Sequence, residues 1–248
     1  MSQLSPDFWT KPFAHRGLHD RNAGIEENSF ASFRAAIDAG YGIELDVQLA
    51  ADGEAIVFHD SVLDRLTDTT GSVSSFSAAQ LSTLRLKIGG EPLQTLSEVL
   101  GLIDGATPVL VEIKDQSGDF SETSGALEAR VAEVMARYRG PAAVMSFNPH
   151  MIETMWRIAP ATPRGLVAAP HYWGDVSPER TRRLADLADL DRCHAAFVSY
   201  EWRGLDRPAV RRAALQGHEL ICWTIQSAAD AESVAGACRQ ITFEGFRP

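Results

Sequence analysis

The sequence predicts an α/β fold, a single (β/α)8 TIM barrel over residues 1–248, and three observations carry that expectation. The chain has 248 residues, and one such barrel uses about 250. Short β-type runs alternate with helical patterns along its length, the signature of parallel strands joined by helical crossovers. Eight such runs occur, and the polar residues at the ends of the early ones fall where the mouth of a barrel would collect them.

The first run, residues 11–14, leads into His15-Arg16-Gly17. A helix follows, with Asn28 read as its N-cap, Phe30, Phe33 and Ile37 on one apolar face, and Gly40 just past its end. The second strand, 42–49, is joined by the turn Ala51-Asp52-Gly53-Glu54 to Ala55-Ile56-Val57-Phe58, so a short hairpin extension is expected. Residues from about 60 to 94 are rich in Ser, Thr and Gly and too long for a strand-to-helix loop. They read as a small insertion over one end of the barrel, with a short helix at 78–84. Thr95-Leu96-Ser97-Glu98 has the form of a capping box. Strands at 108–113, 142–145, 164–168, 195–199, 219–225 and 240–243 complete the eight. Leu127, Val131, Val134 and Tyr138 mark one further helix, and Met151, Ile152, Met155 and Trp156 another, as core-facing stripes. Beyond the eighth strand a shortened C-terminus lacking the last helix is expected, with the segment from Ser2 to Trp9 or a partner subunit covering the gap in the outer ring.

Composition narrows the function. Asp and Glu number 33 against 23 Lys and Arg, a formal charge of -10, which disfavours nucleic acid or an anionic membrane as the main partner. The amino terminus lacks the basic start and apolar run of a signal peptide, and no segment approaches a membrane span. Cys193, Cys222 and Cys238 show no CxxC spacing and read as buried free thiols. A cytoplasmic location is the expectation, and a homo-oligomer stays open.

The chemistry lies at the predicted strand ends. His15 and Arg16 follow strand one, Glu44 and Asp46 lie on strand two, His59 ends the hairpin extension, and Glu112 and Lys114 lie on and after strand three. Residues two apart on a strand share a face, so both pairs would enter the mouth. Three carboxylates meeting there repel one another unless a cation neutralises them, and hard oxygen ligands select Mg2+ or Ca2+ over zinc. His15 and His59 can exchange protons near neutrality, while Arg16 and Lys114 offer positive charge to a phosphate. The combination suits a phosphodiester. Each piece alone has an ordinary reading, as a barrel-mouth ion pair or a Glu-x-Lys salt bridge.

Taken together, Phe13-Ala14-His15-Arg16-Gly17, Glu27-Asn28-Ser29, Ile43-Glu44-Leu45-Asp46-Val47, Asp52-Gly53, Val57-Phe58-His59-Asp60, Leu63-Asp64-Arg65, Gly71-Ser72-Val73 and Glu112-Ile113-Lys114 resemble the glycerophosphodiester phosphodiesterases. The resemblance continues through Ser146-Phe147-Asn148-Pro149 and Cys222-Trp223-Thr224-Ile225. It implies hydrolysis of glycerophosphodiesters to glycerol 3-phosphate and an alcohol. It further implies His15 and His59 as the acid/base pair, Glu44, Asp46 and Glu112 as metal ligands, and Arg16 and Lys114 as phosphate contacts. Glu27 and Asn28 would border metal and substrate, and Trp223 would wall the glycerol or phosphate or else be a packed barrel tryptophan. Two routes stay open, attack by the substrate's own 2-hydroxyl or by water.

The carboxyl end departs from the family's Gly-x-Asp-Gly-Ile-Ile-Thr-Asp-x-Pro run, and Glu244 stands where its acid would be. His171, Tyr172 and Trp173, and Tyr200, Glu201 and Trp202, read equally as specificity residues or loop anchors. His19, His150, His194 and His218 read as loop or helix-start residues. A phospholipase D or sphingomyelinase D-like lipid phosphodiesterase and a catalytically silent anion-binding barrel are the alternatives.

Overall fold

The computed structural model describes residues 3–172 and 175–248. Its strands are β1 (Phe13–Ala14), β2 (Gly42–Leu49), β3 (Ala55–Val57), β4 (Val109–Ile113), β5 (Ala142–Ser146), β6 (Arg164–Ala168), β7 (Phe197–Glu201), β8 (Glu219–Ile225) and β9 (Gln240–Phe243). All except β3 pair in parallel in the order β1-β2-β4-β5-β6-β7-β8-β9, and β9 pairs back to β1, which closes an eight-stranded barrel. The expected (β/α)8 architecture is the one observed. Helices α1 (Phe30–Ala39), α2 (Ala78–Leu81), α3 (Leu96–Ile103), α4 (Ala126–Arg137), α5 (Pro149–Ile158), α6 (Pro178–Ala185), α7 (Pro208–Leu215) and α8 (Ala228–Ser233) lie between strands. None of them is long and apolar enough to cross a membrane.

Strand pleating sorts the side chains into two layers. Ile43, Leu45 and Val47 of β2 join Val109, Val111 and Ile113 of β4 in an outer core with Phe33, Leu96, Val99 and Val131 from the helices. Phe13, Leu110, Ala143, Met145, Val167, Phe197 and Ile221 fill the barrel interior. Gly165 is what lets Phe197 in: a Cβ there would lie 2.4 Å from the Phe197 ring. With the lower interior packed, the polar members of the same inward rows, Glu44, Asp46 and Glu112, are left at the mouth.

Strand β1 is shorter than the 11–14 run because Lys11 is exposed and Pro12 brings no N–H to the ladder. The edge of β2 that it leaves free is taken by β3, antiparallel in the register Val47↔Val57 and Leu49↔Ala55, as the hairpin pattern predicts. The 60–94 insertion packs Leu63, Leu66, Val73, Leu81, Leu86 and Leu93 in a small core with Ala50, Ile56 and Phe58 of the hairpin. Its one short α-helix, α2, is capped by Ser77 with Gln80, and Thr95 with Glu98 forms the expected box on α3.

Several expectations need correction. The N-cap of α1 is Ser29, whose side chain accepts from Ser32 N, and Asn28 is freed for the site. Strand β7 starts two residues later than the 195–199 run. Trp156 leaves the core stripe, 36% exposed and stacked on His194 with centroids 4.0 Å apart. The described part of the amino-terminal segment goes to the floor of the barrel and not to the outer ring: its Pro6–Trp9 turn inserts Phe8 against Phe13, ring centroids 5.7 Å apart. Beyond β9 the described residues form no helix, and the gap is filled by Tyr41 and Phe246, both packed on Phe243. Cys193 and Cys222 are buried and Cys238 is half-buried, its Sγ 3.1 Å from that of Cys222.

Candidate active site

The backbone after β1 turns sharply, with Arg16 (φ 57°) and Gly17 (φ 78°) both in the left-handed region. A Cβ on residue 17 would fall 2.3 Å from Ser32 Oγ, so only glycine fits. The turn delivers Arg16 N to Glu44 Oε2 at 2.9 Å and Gly17 N to the Glu44 carbonyl at 3.1 Å. Asn28, also left-handed (φ 52°), donates from Nδ2 to Asp46 Oδ2 at 2.9 Å and accepts from Asp46 N at 3.3 Å. Its N–H bonds the Arg16 carbonyl, which ties the two turns together.

Glu44, Asp46 and Glu112 are 1%, 1% and 7% exposed, and each offers an oxygen within 4.8 Å of the other two. Their neutralisation is uneven. Lys114 Nζ donates to Glu112 Oε1 at 2.6 Å and to Asp46 Oδ1 at 3.3 Å, and Arg16 Nε lies 3.6 Å from Asp46 Oδ2. Burial would raise the Asp46 carboxyl, but Lys114, the nearby His59 and Arg16 outweigh it and hold it well below the usual range. Glu44 has no Lys or Arg ion pair among the described residues; burial together with Asp46 and Glu112 pushes its carboxyl well above the usual range.

The two histidines are mounted alike. His15 Nδ1 lies 2.6 Å from Glu244 Oε2, and His59 Nδ1 lies 2.7 Å from Asp60 Oδ1. Burial draws the His15 pKa down, with the Glu244 hydrogen bond opposing. Asp60 is also held by Arg65, which donates twice more to Glu27, and Glu27 in turn accepts from Arg16 at 2.7 Å. Gln48 Nε2 fixes the His59 carbonyl at 2.9 Å.

Both histidines, the three carboxylates, Arg16 and Lys114 line one cavity of about 740 Å³. Phe147, Phe120 and Trp223 also line it, and the Phe147 ring meets that of Trp223 edge to face at 5.4 Å. Arg16 Nε, Ser199 Oγ and Thr242 Oγ1 are buried polar atoms of lining residues without a hydrogen-bond partner, the state expected where a ligand or water completes the shell.

The profile of the glycerophosphoryl diester phosphodiesterase family matches residues 15–240. The chain belongs to that family. As such it is a phosphodiesterase, and its relatives agree. It is 34% identical over 237 residues to a glycerophosphodiester phosphodiesterase of Caldanaerobacter subterraneus, covering 92% of this chain and 90% of the relative. Among solved structures, it resembles an Oleispira antarctica phosphodiesterase in complex with the product sn-glycerol-3-phosphate (TM-score 0.77, 23% identity, covering 96% of this chain and 93% of that one). It also resembles a glycerophosphodiester phosphodiesterase from Agrobacterium tumefaciens (TM-score 0.69, 24% identity, 94% and 96% covered). At these identities the structures speak to the barrel alone.

The phosphodiesterase fold brings together nine of the ten residues singled out by sequence: His15, His59, Glu44, Asp46, Glu112, Arg16, Lys114 and Trp223 line the cavity, and Asn28 bonds Asp46. Glu27 stands behind Arg16 and Arg65 and is not in the lining. Trp223 lines the cavity, and its Nε1 donates to the Ser199 carbonyl at 3.0 Å. Tyr200 and Trp202 are anchors away from the mouth, the first donating to the Ala185 carbonyl at 2.9 Å and the second covered by Arg203. Glu201 is paired with Arg203. Tyr172 packs edge to face on Phe120 and Phe147 behind the lining, and Trp173 lies outside the described residues. His19 lies in a loop as read, but half-buried and with Nε2 shielded. Sequence reasoning gave no role to Asp60, Arg65, Gln48 or Phe147; the His59-Asp60 and Leu63-Asp64-Arg65 runs carried the signal for the first two.

Proposed function

We propose that the chain hydrolyses glycerophosphodiesters to glycerol 3-phosphate and an alcohol, with His15 and His59 exchanging the protons and Glu44, Asp46 and Glu112 holding a divalent cation, Mg2+ or Ca2+. The convergence of two carboxylate-held histidines and three buried carboxylates on one cavity carries the reading. The named activity of the Caldanaerobacter relative and the product in the Oleispira structure support it.

The donor set fits a hard cation. Three oxygens mutually within 4.8 Å can share one ion, because Ca–O distances of about 2.3–2.6 Å let opposite ligands stand about twice that apart. No sulfur or imidazole belongs to the cluster, which disfavours zinc. When bound, such a cation supplies neutralisation of the phosphate charge and acidifies the attacking hydroxyl.

The remaining work falls to the protein. Arg16 Nε, buried and making no hydrogen bond, has a donor to give to a phosphate oxygen, and Lys114 brings its ammonium to the same cavity. With Nδ1 of each histidine engaged by a carboxylate, Nε2 is the atom that faces substrate. One Nε2 accepts the proton of the attacking hydroxyl, the substrate's own 2-hydroxyl or water, and the other donates to the leaving alcohol oxygen. The aromatic wall of Phe147 and Trp223 excludes water beside the apolar carbons of the diester. The proposal takes residues 1–248 as one catalytic domain acting on a small diester in the cytoplasm, where unpaired thiols are stable.

Release of glycerol 3-phosphate from a panel of glycerophosphodiesters, with and without EDTA, tests this. Turnover that EDTA abolishes and Mg2+ or Ca2+ restores is expected. No turnover of any panel member would sink the activity, and EDTA-resistant turnover would sink the metal.

A further inference from the structure

We propose that Glu244 is the positioning residue of His15: it accepts the Nδ1 proton and so fixes the tautomer whose lone pair sits on Nε2, facing the cavity. The inference deepens the phosphodiesterase reading and rests on it.

The two side chains are set opposite each other by the barrel closure. Ala14 and Phe243 are partners in the β1–β9 ladder, so His15 and Glu244 are the next residues on adjacent strands. Both backbones are pinned there: His15 N donates to the Phe243 carbonyl at 2.9 Å, and Glu244 N donates to the Ile225 carbonyl at 2.9 Å. The Glu244 carboxylate then reaches Nδ1 at 2.6 Å, the length of a strong, charge-assisted bond. A carboxylate is acceptor-only when ionised, so the proton of this bond belongs to His15 Nδ1.

Nothing else claims that carboxylate. Its single ion pair among the described residues is with His15, whereas Asp60, the equivalent group behind His59, is shared with Arg65. Glu244 is also 31% exposed, where an ion pair contributes little to stability. A structural purpose is therefore weak and an orienting one strong. On the far side of the ring, Nε2 lies 4.0 Å from Glu44 Oε2, too far for a hydrogen bond, so it is free to meet a substrate atom. Carboxylates that hold the distal nitrogen of a working imidazole set its tautomer and orientation in this way.

The test joins a spectroscopic readout to a kinetic one. Long-range 15N–1H NMR of the neutral imidazole should show His15 protonated at Nδ1 in the wild type, with its proton far downfield, and Glu244→Gln should lose that signature. Glu244→Gln should lower kcat about 10- to 100-fold while KM stays within about threefold. Combined with His15→Ala it should add nothing, because it acts through the absent ring. An unchanged His15 tautomer, an unchanged kcat, or a further loss in the His15→Ala background would each overturn the proposal. Should Glu244→Gln fail to fold, Glu244→Asp keeps the charge and withdraws it by one carbon. The Nδ1 proton should then move upfield, and an unmoved resonance would overturn the assignment. Failure of the phosphodiesterase reading shows separately, as a wild type that releases no glycerol 3-phosphate while its His15 tautomer is still measured.

Discussion

Glu27 ties the mouth to the insertion, and its removal has a calculable signature. Its side chain is 9% exposed and receives Arg16 Nη1 at 2.7 Å and two Arg65 nitrogens at 2.7 and 2.8 Å. Burial alone would raise its pKa, but the Arg65 hydrogen bonds and the Arg16 charge outweigh burial and hold it at about 2, against 4.5 unperturbed. At about 1.4 kcal/mol for each tenfold change in proton affinity, that is roughly 3 kcal/mol of folding stability near neutrality. Arg65 is 41% exposed, so solvent screening trims its share, and about 2 to 3 kcal/mol remains. The folded-state pKa is depressed, so the contribution is complete above pH 4.5 and is lost as pH falls toward 2. Glu27→Gln should therefore lower the urea-denaturation stability by about 2 to 3 kcal/mol at about pH 7, and the gap should close by more than half at about pH 3. A gap of equal size at both pH values, or one below about 1 kcal/mol at neutrality, would refute the electrostatic account.

Other perturbations have equally definite outcomes. Gly165→Ala forces a methyl to 2.4 Å from the Phe197 ring, and thermal unfolding should show a loss of about 1 to 3 kcal/mol. His59→Ala should lower kcat about 10²- to 10⁴-fold, with circular dichroism unchanged because the ring is partly exposed at the cavity. Glu44→Gln should do two opposite things: calorimetry should find Mg2+ or Ca2+ binding weakened, while the metal-free protein gains about 1 to 2 kcal/mol through removal of an unpaired buried charge.

The parts of the fold that local pattern encodes were legible, and the parts made by distant contact were not. Strands buried on both faces show as apolar β-rich runs, so all eight barrel strands are visible without their pairing. The 195–199 run slipped by two residues because Cys193 and Ala195, buried outside any strand, imitate one. Asn28 and Ser29 both carry N-cap chemistry, and only the position of Asp46, 18 residues on, decides that Asn28 serves the site and Ser29 the helix. Glu244 stood out in the sequence, but its pairing with His15 spans 229 positions, where periodicity carries no information. The cavity acids were readable for the opposite reason: i, i+2 spacing on a strand is itself a statement about shared facing.

The carboxylate cluster also explains why the site is costly to build. Packing fills the lower barrel with Phe13, Leu110, Met145, Phe197 and Ile221, whose burial favours folding. One layer higher the same inward rows present Glu44, Asp46 and Glu112, and the two cations within reach, Lys114 and Arg16, pair with Asp46 and Glu112 but not with Glu44. Ionising Glu44 in this setting opposes folding, and the pressure that raises its proton affinity raises its affinity for a cation at the same point. Neutralising Glu44 with a third basic side chain would remove the cost and the binding capacity together. The fold instead gives Glu44 a backbone donor, Arg16 N, at 2.9 Å. That donor orients the carboxylate without adding a full positive charge, and it leaves the compensation to a ligand.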